Sequence, residues 1–183
     1  KGFSGKLIVI TNPMDVFTWY FAKHAGLDEG QVVGFGGLLD SRRFTVALSS
    51  MGIKEEGMVL GEHGENQVPL FSNLSVDVPE AVREEVLLGL RGSSMPVIKG
   101  KGGTVFGPAY HIFNMMQKIE RGEEFICSLP ANGAYGIDGC SIGLPAKVTR
   151  NGAKINENLQ LDDWEAGKLN AAAEFLTGLC RRV

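Results

Sequence analysis

The stretch VLGEHGENQVP, residues 59 to 69, sets His63 between Glu62 and Gly64 at the end of an apolar run. An imidazole has an ordinary pKa of about 6.5 and can hold or release a proton near neutral pH, so one placed in a turn is a candidate for acid–base chemistry. Upstream, LLDSRRF carries Asp40 and Arg43, and Asn12 ends a short β-branched run. A carboxylate on one ring nitrogen fixes the histidine tautomer and stabilises the imidazolium, a role suited to Asp40. Arginine presents a planar fork that binds a carboxylate in bidentate fashion, which lysine cannot do, and that suits Arg43. As a set these groups would serve a reaction in which a hydroxyl proton leaves while a neighbouring carboxylate is held.

Each residue also has a plainer explanation. Asp40 reads as a helix N-cap, with Arg43 one turn along as its surface ion partner. Asn12 reads as a cap for the following helix, and a lone histidine beside a glycine is commonly a solvated one. These alternatives make no use of the three groups lying together, so they separate from the catalytic reading on geometry.

The elements that must position the groups are legible in outline. KLIVI, residues 6 to 10, is the profile of a strand buried on both faces of a parallel sheet. Residues 13 to 25 are predicted helical, with Asn12 as N-cap, Pro13 first and Gly26 as the stop. QVVGFG is a strand candidate. Beyond it Phe44, Ala47, Leu48 and Met51 recur at helical spacing, which predicts a helix entered at Asp40. GMVLG and QVPLFSNLSV are strand-like segments flanking His63, which places it in a turn between extended elements. Helices are expected over 79 to 91 and 108 to 121, separated by the break GKGGT. From Phe125 to Ile155 short apolar runs alternate with Asn-Gly and Asp-Gly, the pattern of an antiparallel meander. A last helix opens at Asp162 with Glu165 as capping partner and buries Leu169, Ala172, Ala173, Leu176 and Cys180. One mixed α+β domain accounts for this order, with largely antiparallel sheet and packed helices.

The totals exclude several classes. The chain has 183 residues at 44% hydrophobic composition, enough for a real core. A net charge of −3 without long charge runs gives no footprint for nucleic acid or an anionic membrane. No apolar stretch approaches membrane-spanning length. Cys127, Cys140 and Cys180 lack CxxC spacing, so reduced thiols and a cytoplasmic compartment are expected. The histidines at 24, 63 and 111 show no ligand spacing with those cysteines, and no metal is expected.

The motifs ITNPMDV, LLDSRRF, GEHGENQVP and KGGTVFGPA occur in the order and at about the intervals of the catalytic half of NAD(P)-dependent lactate and malate dehydrogenases. The resemblance covers essentially the whole chain, and malate dehydrogenase is the favoured member because Gly107-Pro108 looks more like that branch. It implies His63 as proton donor and acceptor, Asp40 as its partner and Arg43 as the clamp on the substrate carboxylate. Asn12 would contact the substrate oxygen and the nicotinamide end, and Thr104 would line the same pocket. It further implies NAD or NADP as cofactor, a small 2-hydroxy or 2-keto acid as substrate, and a homodimer or homotetramer when intact. Three positions depart from the usual pattern: Glu65 stands where aspartate is common, Arg42 where a small residue is common, and Gly37 where threonine is common. Arg42 is expected in solvent or at a subunit contact.

No G-x-G-x-x-G follows a strand, and GKGGT lacks phosphate-loop spacing. Residues 1 to 13 are therefore expected to be the last strand of an N-terminal dinucleotide-binding sheet, with 14 to 183 forming the catalytic and substrate-binding domain. Lactate dehydrogenase is the alternative within the family. An alternative of another class is an isolated, non-catalytic oligomerisation domain that would associate through the apolar helices near residues 17 to 25 and 80 to 91.

Overall fold

A computed structural model describes residues 2–183, so Lys1, the first residue of the expected leading strand, lies outside the described residues. The chain forms β1 (Leu7–Val9), α1 (Met14–His24), β2 (Val32–Gly34), α2 (Gly37–Ser50), β3 (Val59–Gly61), β4 (Gln67–Pro69), α3 (Glu80–Gly92), α4 (Met95–Lys101), α5 (Phe106–Arg121), β5 (Glu124–Pro130), β6 (Ser141–Thr149), β7 (Gly152–Ile155) and α6 (Asp163–Cys180). The strands make one sheet in the order β1-β2-β5-β6-β3-β4, with β7 also paired to β6. β1 and β2 run parallel, in the register Leu7 to Val32 through Val9 to Gly34. Every other pairing is antiparallel. The expected mixed, largely antiparallel α+β fold is thus what forms, and the meander over 125 to 155 is β5-β6-β7.

Side chains alternate across the central strands as the pleat requires. Phe125, Cys127 and Leu129 join Met115 and Ile119 of α5 in one cluster, whereas Ile126 faces a second cluster built from Ile142, Leu144 and the Leu169–Leu176 stripe of α6. A third cluster of Phe44, Leu48, Phe71, Val78 and Leu90 fills the space between α2 and α3. α6 opens on a complete capping box, with Asp162 accepting from Glu165 N–H and Glu165 accepting from Asp162 N–H. The Glu165 carboxylate is fully buried and also accepts from the N–H groups of Phe71 and Ser72 at 2.7 and 2.8 Å and from the Ser72 hydroxyl at 2.6 Å. One side chain therefore ties the start of α6 to the segment after β4.

Four boundaries differ from the sequence reading. α1 begins at Met14 with Pro13 in the cap position, where it has no side-chain acceptor, so Asn12 does not cap the helix. α2 begins at Gly37, one turn earlier than expected, which puts Asp40 inside the first turn instead of at the cap. α5 also starts early, at Phe106. The segment before the glycine break forms the short helix α4, started near Pro96 and stopped by Gly102 at φ 77°; its own glycine at 100 obscures a helical pattern.

Candidate active site

α2 supplies two charged groups from one rigid turn. Asp40 is buried, and its Oδ1 accepts from Arg43 Nη1 at 3.1 Å. Its Oδ2 lies 2.6 Å from His63 Nδ1. His63 sits in the loop joining the antiparallel pair β3 and β4, closed by Glu62 N–H to Asn66 O at 3.1 Å and Asn66 N–H to Glu62 Oε2 at 3.0 Å. The helix is pinned to this hairpin by its own hydroxyls: Ser41 Oγ accepts from Val59 N–H and Thr45 Oγ1 accepts from Gly57 N–H. Asp40 and His63 are thereby held in register across two elements 23 residues apart in sequence.

An ionised carboxylate only accepts, so the short contact makes Nδ1 the protonated nitrogen and leaves Nε2 for chemistry. Burial pushes the His63 imidazole down, but the hydrogen bond to Asp40 and the charges of Asp40 and Asp15 outweigh it, against a smaller opposing push from Arg43. The net pKa lies above the ordinary 6.5. Asp15 was not anticipated. It projects from the first turn of α1, is buried, and accepts from the His63 backbone N–H at 2.8 Å. Burial raises its pKa to about 6, against lowering by Ser128 and by the backbone and charge of His63. Its Oδ1 and the Ser128 hydroxyl are both buried, and Ser128 lies near enough to lower the Asp15 pKa although neither atom meets a described partner in hydrogen-bonding geometry. The sequence signal for Asp15 was present in TNPMDV, but acidic residues in first helical turns are ordinarily explained by the helix dipole.

The backbone leaves room for the ring only because residue 36 is glycine. Gly36 has φ 143°, and a Cβ there would stand 2.7 Å from His63 Cγ. His63 and Arg43 open into a cleft of about 400 Å³ that is also lined by Asn12, at the end of β1, and Thr104, in the loop between α4 and α5. Four of the five anticipated residues thus share one cleft, and the fifth, Asp40, stands behind His63. Gln67, Arg91 and Ser94 also line the cleft, and none was singled out in the sequence. Arg42 is exposed and lines a separate apolar groove between α2 and α3, outside the cleft. Among the described residues no group of three or more His, Cys, Asp or Glu side chains is placed to hold a metal.

Residues 38–180 match the model of the lactate/malate dehydrogenase α/β C-terminal domain. The chain is 36% identical over 180 residues to a malate dehydrogenase of Haloferax volcanii, covering 92% of this chain and 59% of that protein. An L-lactate dehydrogenase of Macrococcus caseolyticus is 31% identical over 197 residues, covering 98% and 62%. The structure of Archaeoglobus fulgidus malate dehydrogenase in complex with NADH superposes with a TM-score of 0.85 at 34% identity, over 97% of this chain and 61% of that one. A buried Asp40 behind a half-buried His63, with Arg43 facing the same cleft, is thus held on a mixed sheet of this order. The chain belongs to the lactate/malate dehydrogenase family, as its α/β C-terminal domain. It spans about three fifths of the length of the curated relatives it matches.

Proposed function

We propose that this chain is the acid–base and substrate-binding part of an NAD(P)-dependent 2-hydroxyacid dehydrogenase, interconverting malate and oxaloacetate in preference to lactate and pyruvate. The observation that carries the reading is the shared cleft: His63 is backed by Asp40 while Arg43, from the same turn as Asp40, faces the same space. In the oxidation, His63 Nε2 takes the hydroxyl proton, and the resulting imidazolium is stabilised through Nδ1–H by Asp40. Arg43 keeps one nitrogen on Asp40 and offers its remaining N–H groups to the substrate carboxylate. Asn12 and Thr104 supply polar groups near the developing carbonyl oxygen. In the reduction the same histidine returns the proton, so it must enter that direction charged, as its raised pKa favours.

The bound nicotinamide, when present, supplies or accepts the hydride. Its reactive end fits here in one respect: Ile10, Pro108 and Ile112 give the cleft an apolar side next to Asn12. A pyrophosphate cradle does not fit, because no glycine fingerprint opens a helix in this sequence. That part belongs, in this reading, to a preceding dinucleotide-binding domain of which residues 1 to 13 are the end. β1 supports it, being an edge strand of the described sheet, paired in parallel to β2 through α1, and so able to continue a parallel sheet on its other side. Malate dehydrogenases of Haloferax, Natronomonas and Archaeoglobus, each 36% identical, support the choice of malate alongside Gly107-Pro108. The apolar groove between α2 and α3, lined by Val46, Val82 and Val86, supports assembly as a homodimer or homotetramer. Three buried free cysteines support a cytoplasmic location, and among the described residues no helix is long and apolar enough to cross a membrane.

The test is kinetic, in the protein carrying its dinucleotide-binding portion. His63→Asn should lower turnover by about 10²-fold or more, and Arg43→Lys should weaken substrate use severely with the fold intact. Near-normal kinetics in both variants would reject the assignment.

A further inference from the structure

A small cavity of about 10 Å³ lies where α1, α2, β5 and the β3–β4 loop meet, bordered by Asp15, Asp40, Ser128 and His63. Asp15 and Ser128 are 2% and 1% exposed, and each carries a polar atom that the protein leaves unanswered. Asp15 uses Oδ2 to accept from the His63 backbone N–H at 2.8 Å, whereas its Oδ1 meets no donor among the described residues. Ser128 Oγ likewise meets no partner there. Both oxygens of Asp40 are already engaged, by Arg43 and by His63. Buried polar atoms left in this way are costly unless something satisfies them. The space matches one water molecule, which needs about 10–15 Å³ and at least two polar partners.

We propose that this cavity is a water site and that Asp15 is a positioning residue for His63: one water, donating to Asp15 Oδ1 and accepting from the Ser128 hydroxyl, completes a second carboxylate behind the imidazole. The inference rests on the reading of His63 as the acid–base group and deepens it. Asp40 and Asp15 act on the same residue by different routes. Asp40 meets ring Nδ1, while Asp15 fixes the backbone from which the ring projects. Their charges add, and both favour the imidazolium that must enter the reduction. The other groups facing the pair set its limits. Arg43 from α2 opposes the histidine charge, and Glu62 beside His63 opposes ionisation of Asp15. The thiols of Cys140 and Cys180, which the Asp15 charge helps to push up, stay neutral and add no charge. A water donating to Oδ1 favours the ionised form of Asp15, and through it the charged form of the ring.

The test combines a high-resolution crystal structure of the 183-residue chain at neutral pH with NMR titration of the His63 ring; the same spectra report whether each variant keeps its fold. One water should lie within hydrogen-bonding distance of both Asp15 Oδ1 and Ser128 Oγ. Asp15→Asn keeps an oxygen to accept from the His63 N–H but carries no charge, so the His63 pKa should fall while Nδ1 stays bonded to Asp40. A purely structural role for Asp15 would leave the titration unmoved. Ser128→Ala should shift it in the same direction by less, because Asp15 would then ionise less readily. Both results are required: a direct Ser128–Asp15 bond with no water between them, or an unchanged titration in Asp15→Asn, overturns the proposal. In the protein carrying its dinucleotide-binding portion, the alkaline limb of the pH–rate profile for oxaloacetate reduction should move to lower pH together with the ring pKa. If the ring shifts and that limb does not follow, His63 is not the acid of the reaction, and the functional reading falls while the water site stands.

Discussion

At the scale of single residues, the site is a histidine held from two sides by carboxylates of different kinds. Asp40 bonds the ring and raises its proton affinity directly, and Asp15 holds the backbone of the same residue and adds charge from below. Asp15 bears the cost. Its folded-state pKa of about 6 lies above the ordinary carboxylate value, so the folded chain binds this proton more tightly than the unfolded chain does. A raised carboxylate pKa stabilises the fold only at low pH, and stability is lost as pH climbs from about 4 through the folded pKa. Asp15→Asn keeps an acceptor for the His63 N–H without the buried charge. The thermal midpoint of the variant should therefore gain on that of the parent as pH rises from about 4 to 6, and hold that gain above 6; a gap independent of pH would show that the burial penalty is misassigned. All three cysteines are buried, and burial raises each thiol pKa, so none presents an exposed thiolate.

At the scale of elements, what matters is how α2 is docked on the β3–β4 hairpin, and the parts of this that were legible in the sequence differ from those that were not. The helical stripe of Phe44, Leu48 and Met51 gave α2, and Asn-Gly and Asp-Gly gave the meander, because periodicity and turn chemistry are local. The roles of Asp15 and of the Ser41 and Thr45 tethers were not read from the sequence because their meaning is tertiary: each bonds a backbone N–H on or beside the β3–β4 hairpin from another element. Asn12 misled for a related reason, since Asn before Pro mimics a cap while here its side chain lines the cleft. Two variants probe the docking. Gly36→Ala would put a methyl carbon against the His63 ring at a backbone φ of 143°, so the Asp40–His63 contact should open and the His63 pKa fall, read by NMR titration; an unchanged pKa would mean that the loop yields freely. Glu165→Ala would orphan donors on Phe71, Ser72 and Asp162 together and should cost about 3 kcal/mol or more in chemical denaturation, against about 1 kcal/mol for loss of an ordinary cap.

At the scale of the whole molecule, the sheet divides into a parallel end, β1-α1-β2, and an antiparallel body that carries every assigned site residue except Asn12 and Asp15. The two ends meet at the cleft, where Asn12 from the parallel end faces Arg43, His63 and Thr104 from the body. This is why the motifs had to be read together to mean anything: no segment of fewer than about 90 residues contains them all, and only the fold brings 12, 43, 63 and 104 to one space. The central claim is that His63 and Arg43 form one substrate site, and the most direct measurement of it is NMR observation of both side chains in the 183-residue chain while oxaloacetate is added. The account predicts saturable shifts at His63 and at the Arg43 guanidinium with a single affinity, and loss of both in Arg43→Lys. Shifts confined to one of the two groups, or a response that survives that substitution unchanged, would contradict it.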